Sequence, residues 1–177
     1  YFADNSVFGI FTFPLIKGDP KSALKEPFTV VISQEKARKY FGDEDPMGKI
    51  LTLNDQYSQS DFTVKGVLKD IPKNSHFRFD FLASFATMEK RFSEWVQNWF
   101  NHMYYTYLLL DESLSSEVLE GKFTALVKKH TGQQAGDALK PHLQPLTAIH
   151  LHSHLESEIE ANSDAVYVFI FAAVALF

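Results

Sequence analysis

Cysteine is absent from the 177-residue sequence. Its absence excludes disulfide scaffolds, zinc sites built from thiolates and cysteine nucleophiles. It is compatible with the bacterial periplasm or the cell exterior, where a free thiol would be oxidised. Many cytosolic domains also lack cysteine, so this feature excludes chemistry more firmly than it assigns a compartment.

Sequence motifs for nucleotide binding and metalloprotease activity are absent as well. There is no G-x-x-x-x-G-K-[ST], no G-x-G-x-x-G and no H-E-x-x-H pattern. If ATP is involved in the function, another domain or polypeptide binds it. The net charge of −5 provides no basic field for phosphates, which argues against nucleic acid as the main partner.

A long uncharged apolar run occurs at the end of the sequence, from Ala165 to Phe177. A membrane-spanning helix needs about 20 apolar residues, so this run would form roughly the first two thirds of one. The alternative is a buried core helix or strand, since runs of about 10 to 14 apolar residues are often found in soluble cores. The run alone leaves both interpretations open.

Aromatic residues are abundant, with 17 Phe, 7 Tyr and 2 Trp. This exceeds what a small core needs, so we expect part of the aromatic surface to pack against another molecule. A cluster of five aromatic residues forms the candidate partner interface, although such groups are more often core: Trp95, Trp99, Phe100, Tyr104 and Tyr105.

The first half of the chain has a β-α-β-β pattern. Residues 28–32 are β-branched and aromatic and predict a buried strand, and Ser33 is a good N-cap for a helix that would end at Gly42. Strands are predicted over residues 49–53 and 62–67. Residues 1–13 predict a short helix, and Pro14 with the turn at residues 17–20 predicts a loop after it.

The pattern changes after Asn74. Phe77, Phe79 and Phe81 alternate with other residues and precede a helical stretch over residues 84–92. The β-prone residues 103–110 predict a strand, and residues 113–116 are a good start for a helix that would run up to Gly132. Residues 143–151 predict a last strand, with Pro145 at an edge of the sheet or at the start of the strand. The fold class that we predict is therefore α+β.

Candidate catalytic and metal-binding residues are few. His150, His152 and His154 would share one side of a strand, but three ligands on one straight strand splay apart, so a metal site there is a weak hypothesis. The acidic turn at Asp43 to Asp45 lacks the spacing of a calcium loop. Ser75 and His76 lack the sequence context of a nucleophile. We therefore assign no catalytic residue and no cofactor.

Several short segments follow one another in a fixed order along the chain. They are Phe8 to Phe11 with Pro14-Leu15 and Gly18 to Pro20, Val30 to Ser33, Ala37 to Gly42, Asp45 to Lys49, Phe62 to Val67, Ile71 to His76 and Ile149 to Ser153. No single motif is diagnostic, but in this order the segments resemble one family, the MacB-like extracytoplasmic domain of FtsX-type ABC transporter permeases, in the variety common in Bacteroidetes.

The resemblance implies a domain organisation. Residues 1–74 and 140–162 would form a porter-like β-α-β subdomain, residues 75–139 an inserted α+β subdomain, and residues 163–177 the start of a transmembrane helix. The first strand and helix of the family's ectodomain have no counterpart here, so we expect the sequence to be an internal segment with an incomplete porter-like sheet.

The resemblance also implies a function. The domain would lie on the periplasmic side of the bacterial inner membrane, between two transmembrane helices of a permease. The permease would act as a homodimer or heterodimer with a cytosolic ATPase subunit, and would transmit ATP-driven motion to a substrate or a periplasmic adaptor protein. The alternatives are a membrane-tethered sensor or adhesion module and, less favoured, a metal-binding or hydrolytic domain that uses the three histidines.

In the membrane interpretation, the membrane-inserted residues are those of the apolar run: Ala165, Val166, Tyr167, Val168, Phe169, Ile170, Phe171, Ala172, Ala173, Val174, Ala175, Leu176 and Phe177.

Overall fold

A computed structural model describes residues 1–54, 58–72, 75–101, 103–149, 153, 158–159 and 165–175. The chain divides into two units, Tyr1–Leu109 and Leu110–Phe177. Helices and strands occur together along the chain, and the predicted α+β fold class is confirmed.

The first unit contains six strands and four helices within the described residues. Their bounds are β1 (Phe2–Ala3), α1 (Val7–Ile10), β2 (Leu15–Gly18), β3 (Thr29–Ser33), α2 (Gln34–Phe41), β4 (Ile50–Asn54), β5 (Gln59–Leu68), β6 (Phe81–Ser84), α3 (Ala86–Arg91) and α4 (Ser93–Val96).

The six strands form one mixed sheet in the order β1-β6-β3-β5-β2, and β4 also pairs with β5. The long strand β5 runs parallel to β3 and antiparallel to both β2 and β4. Its first half pairs with β4 and its second half with β2. Strand β5 therefore joins most of the sheet together.

Strand β3 lies at the centre of the sheet, and all five of its residues are buried. Its alternate side chains enter two hydrophobic clusters, one on each face of the sheet. Val30 and Ile32 pack with Phe62 and Ala37 of α2, whereas Val31 packs with Leu24. A strand covered on both faces reads as a continuous apolar run, which explains why β3 was predicted correctly.

Helix α2 begins and ends where the sequence predicted. The Ser33 hydroxyl accepts a hydrogen bond from the Lys36 backbone N–H, which satisfies a donor left free by the first helical turn. Gly42 ends the helix with a positive φ of 59°. These local capping rules hold because the residues that they involve are close in sequence.

Strand β2 occurs where the sequence predicted a loop. Gly18 makes this strand possible, because a Cβ atom at that position would lie 2.8 Å from the Gly66 Cα of β5 and the backbone has φ of 96°. Only glycine combines this close approach with a positive φ without strain. The pairing partner is 48 positions away, which local sequence patterns do not reveal.

Two strand predictions are wrong in the described residues. Residues 103–110 form no strand, and residues 146–148 form a 3₁₀ turn (Leu146–Ala148) within the predicted last strand. The β propensity of a segment depends on packing against neighbouring strands. The rings of Tyr104 and Tyr107 instead pack on aromatic side chains of the first unit, and Pro145 has no N–H for a ladder.

The second unit contains three α-helices within the described residues: α5 (Ser116–Thr131), α6 (Gln133–Ala138) and α7 (Ala165–Ala175). The predicted start of α5 is confirmed, since the Ser115 hydroxyl accepts from the Val118 backbone N–H. The Glu120 carboxylate of α5 accepts a hydrogen bond from the Leu143 backbone N–H at 2.7 Å, and His142 Nδ1 lies 2.9 Å from the same Oε1 atom. This carboxylate ties the segment after α6 to α5.

The predicted apolar helix is present as α7. Five of its large apolar side chains are between 50% and 72% exposed: Val166, Phe169, Ile170, Phe171 and Val174. Among the described residues, no helix has both the length and the apolar character that a membrane crossing requires.

Candidate functional site

The aromatic residues proposed as a partner interface divide into two groups. Trp95 and Tyr104 pack edge to face, with ring centroids 5.7 Å apart, and Tyr104 makes a similar contact with Phe85 at 5.4 Å. Asn101 Nδ2 donates to the Trp95 carbonyl at 3.3 Å and to the Tyr104 hydroxyl at 3.4 Å. The ring contacts and the Asn101 hydrogen bonds therefore hold Trp95 and Tyr104 in place.

The other three residues lie on the surface. The exposed fractions are 41% for Trp99, 58% for Phe100 and 54% for Tyr105. Met103 and Leu109 in the same stretch are exposed as well. Large apolar side chains that are exposed together mark interaction sites more often than single ones do, and the assignment of this stretch as an interface stays a prediction.

A second aromatic cluster was not singled out from the sequence. Phe11 contacts Phe77 at a ring-centroid distance of 4.8 Å and Tyr107 at 5.2 Å, and Phe13 contacts Phe79 at 5.3 Å. All these rings are partly exposed. The alternation of Phe77 and Phe79 was visible in the sequence, but their partners at positions 11, 13 and 107 come from distant segments.

His76 lies in this second cluster. Its Nε2 atom is 2.7 Å from the Tyr107 hydroxyl, and its ring is 4.7 Å from that of Phe77. Edge-to-face arrangements of this kind stabilise aromatic packing. Tyr107 thus engages His76 Nε2, and no catalytic role is assigned to Ser75 and His76.

Charged groups surround the start of α2. Lys36 Nζ lies 3.1 Å from Asp80 Oδ2 and 3.3 Å from Glu35 Oε1, and these two carboxylates raise the pKa of Lys36, Asp80 more than Glu35. Ser33 donates to Asp80 Oδ1 at 2.9 Å. The Ser33 hydroxyl thus accepts the capping hydrogen bond of α2 and donates to Asp80. We therefore assign the side chains of Ser33, Lys36 and Asp80 a structural role at the start of the helix.

A second charged contact joins the turn after α2 to strand β2. Lys17 Nζ is 3.0 Å from Asp45 Oδ1, and the Met47 backbone N–H donates to the same oxygen. The Lys17 hydrogen bond, followed by that of Met47, lowers the pKa of Asp45. Within the acidic turn at Asp43 to Asp45, the Asp45 carboxylate thus binds groups of the protein itself.

The three histidines of the metal hypothesis, His150, His152 and His154, lie outside the described residues. Within the described part of the chain, no group of three or more histidine or acidic side chains is arranged to hold a metal ion. The hypothesis stays untested by the structure.

The apolar run is described over Ala165 to Ala175, and Leu176 and Phe177 lie outside the described residues. The helix carries no charged residue. Membrane insertion of this run stays a prediction. The prediction depends on the helical conformation of the run and on its exposed apolar side chains.

Comparison with known proteins identifies relatives of the first unit and of part of the second. The sequence model of the MacB-like periplasmic core domain matches residues 1–126. No curated protein matches the chain.

Two solved structures are similar to the chain. A domain of a protein described as a permease, from Porphyromonas gingivalis, has a TM-score of 0.61 and 32% sequence identity, and the match covers 73% of this chain and 58% of that one. The periplasmic region of MacB from Actinobacillus actinomycetemcomitans has a TM-score of 0.47 and 17% identity, with 73% and 55% covered. The chain thus spans less than two thirds of either structure. Because the family model covers well over half of the sequence, the chain belongs to the MacB-like periplasmic core domain family.

Proposed function

We propose that this chain is the extracytoplasmic domain of an ABC transporter permease and that it transmits ATP-driven motion for efflux or extraction of a substrate. The observation that carries the proposal is the family match over residues 1–126. The apolar helix α7, which follows this region in the chain, supports it.

The proposed location is the periplasmic side of the bacterial inner membrane. In this account, residues 163–177 begin a transmembrane helix. The exposed apolar side chains of α7 favour a lipid environment over water, because burial of apolar surface is the main gain when such a helix leaves water. A porter-like subdomain of residues 1–74 and 140–162 would carry the inserted residues 75–139.

The proposed role is mechanical and not enzymatic. The sequence contains no P-loop, so ATP would be hydrolysed on a separate cytosolic ATPase domain or subunit. A domain that transmits motion must move as a rigid body. The central strand β3, buried on both faces, supports such rigidity, since closely packed interiors resist deformation and transmit strain.

The proposed partners are a second permease chain, the ATPase and a periplasmic adaptor or substrate protein. The exposed stretch with Trp99, Phe100 and Tyr105 is the candidate contact for the adaptor or substrate. Tryptophan and tyrosine are enriched at the centres of protein interfaces because their rings bury much area and retain a polar group.

The proposal is tested by measuring motion in the full-length permease with its ATPase in lipid nanodiscs. The exposed Lys25 is replaced (Lys25→Cys), both copies are spin-labelled, and the distance between labels is measured by electron paramagnetic resonance. We expect the distance distribution to change when ATP is added. We expect it to stay unchanged with an ATPase variant that cannot bind ATP. An identical distribution with and without ATP in the active complex would contradict the transmission of ATP-driven motion.

A further inference from the structure

Tyr107 anchors a stretch of the first unit that forms neither helix nor strand. This stretch, residues 103–109, is called the tyrosine segment below. The Tyr107 ring is partly buried and packs against Phe11 and Phe77, with ring centroids 5.2 Å apart in both contacts. Thr106, its neighbour in the chain, is exposed. Segments that are held by a few side-chain contacts open at a lower free-energy cost than core strands do.

His76 makes a polar contact with this anchor. Its Nε2 atom lies 2.7 Å from the Tyr107 hydroxyl, and the two rings are 5.8 Å apart at an angle of 72°. The other ring nitrogen, Nδ1, is buried. A neutral imidazole has one nitrogen that can accept a hydrogen bond, whereas an imidazolium has two donors and no acceptor. Protonation of His76 therefore removes the acceptor that the Tyr107 hydroxyl can use.

The segments that pack around His76 are apolar or uncharged at neutral pH. The Phe77 ring lies 4.7 Å from the imidazole. The stretch that carries Phe11 has no titratable side chain from position 8 to position 16, and the tyrosine segment has only tyrosines, which stay neutral below about pH 9. Burial among such groups disfavours the charged form of an imidazole. A cation–π attraction to Phe77 acts in the opposite direction and is weak at a partly exposed ring.

Two charged side chains follow His76 on its own segment, Arg78 and Asp80. Asp80 lies 3.1 Å from Lys36 Nζ and accepts a hydrogen bond from Ser33, so its negative charge is compensated at the start of α2. Arg78 has the same sign of charge as an imidazolium and disfavours protonation of His76 further. The described surroundings thus favour the neutral form.

We propose that His76 and Tyr107 form a pH-sensitive latch, which holds the tyrosine segment in place while His76 is neutral and releases it when His76 is protonated. The sign follows from linkage, because the held form binds fewer protons than the released form, in which the imidazole lies in water and titrates near pH 6.5. The latch is therefore closed above about pH 7.5 and weakens as the pH falls through about 6.5. At pH 5.5 the ratio of the held to the released form falls by up to about tenfold.

The latch controls the order of the candidate partner interface. Tyr105 lies two residues before Tyr107, and release of Tyr107 leaves Tyr104 to hold the segment through its contacts with Phe85 and Trp95. A partner that binds a loosened segment has to order it again, which lowers affinity. Acidity outside the inner membrane would thus weaken the contact. This consequence rests on the proposed function, which makes the stretch a partner contact and places it on the periplasmic side.

A spin label on the tyrosine segment tests the latch in the full-length protein, with any other cysteine replaced. Thr106→Cys puts the label on an exposed position beside Tyr107. Continuous-wave electron paramagnetic resonance in lipid nanodiscs then measures the mobile and immobile fractions of the label from pH 8 to pH 5.5. We expect the ratio of mobile to immobile label to rise between about threefold and about tenfold over this range.

Three variants in the Thr106→Cys background separate titration from packing. His76→Gln keeps a neutral group that can bind the Tyr107 hydroxyl, so we expect the segment to be held at both pH values. Tyr107→Phe keeps the ring and removes the hydroxyl, so we expect more mobile label at pH 8 and a smaller rise at pH 5.5. His142→Gln is the matched control, because it removes a largely exposed histidine from the second unit. We expect it to keep the full pH response.

A mobility that stays constant or falls between pH 8 and pH 5.5 would overturn the proposal, and so would an unchanged pH response in His76→Gln. If His76→Gln does not hold the segment at pH 8, Tyr107→Phe decides, and a full pH response in that variant overturns the latch. The ATP-dependent distance change at Lys25 is a separate readout. If it occurs while Thr106→Cys shows no pH response, the latch fails and the proposed function stands. If it is absent while the pH response is present, the reverse holds.

Discussion

At the scale of single residues, Phe28 adopts an unusual backbone conformation with φ of 58°. A bulky residue in the left-handed region costs about 1–2 kcal/mol. Thr87, which is fully buried in α3, accepts a hydrogen bond from the Phe28 N–H at 2.8 Å through its hydroxyl. The Phe28 ring also packs on Phe62. Contacts from distant segments therefore hold the entry to the central strand β3.

We predict that Thr87→Val destabilises the protein by about 1–3 kcal/mol, because it leaves the part-buried Phe28 N–H without its acceptor. Thr87→Ser is the matched control. It keeps the hydroxyl and removes only a methyl group, at a cost of about 1 kcal/mol. Urea unfolding followed by circular dichroism measures both. Equal stability of Thr87→Val and the wild type would contradict the role of this hydrogen bond.

The sequence predicts some of these residue-scale features and misses others. The caps at Ser33, Gly42 and Ser115 were predictable because each serine bonds a residue three positions ahead in the chain and the glycine ends its own helix. The conformation of Phe28 was not, because Thr87 lies 59 positions away. Interactions within one helical turn leave local signals, and interactions between distant segments do not.

At the scale of elements, the Lys17–Asp45 contact connects strand β2 to the turn after α2. The pKa of Asp45 is lowered in the folded protein, first by Lys17 and then by the Met47 N–H. An unfolded aspartate has a pKa of about 3.9. A folded pKa below this value means that the contact stabilises the fold at neutral pH and that this contribution is lost as the pH falls through the folded pKa.

We predict that Lys17→Met lowers the melting temperature at pH 7 and that its difference from the wild type narrows below about pH 4, as Asp45 becomes protonated. Thermal unfolding at a series of pH values measures this. Lys65→Met removes the same charge from an exposed position on β5 and serves as the control. A difference between Lys17→Met and the wild type that stays constant from pH 7 to pH 3 would refute the assignment.

The strand predictions show the limits of propensity at this scale. Strand β3 was predictable because burial on both faces leaves a continuous apolar run. Residues 103–110 have the composition of a strand but form none, because a strand exists only when another strand pairs with it. Strand β2 forms despite weak propensity because Gly18 and Gly66 allow close approach to β5.

At the scale of the whole molecule, the family and the α+β fold class were predictable, whereas the arrangement of the candidate site was only partly so. The order of short motifs along the chain indicated the MacB-like family, which the match over residues 1–126 confirms. All five residues of the candidate interface are aromatic. The sequence therefore did not distinguish the exposed Trp99, Phe100 and Tyr105 from the packed pair Trp95 and Tyr104. Only the three-dimensional contacts separate them.

The central claim is that this domain lies outside the cytoplasmic membrane as part of a permease. Its most direct test is labelling of Lys25→Cys in the full-length protein, in cells with a permeabilised outer membrane, by a maleimide that cannot cross the inner membrane. The chain's lack of cysteine makes the label specific within this segment. A cysteine on a known cytosolic protein of the same cells serves as the control. We predict that Lys25→Cys reacts while the inner membrane is intact and that the cytosolic control reacts only after lysis. Labelling of Lys25→Cys only after lysis would place the domain in the cytoplasm and contradict the account.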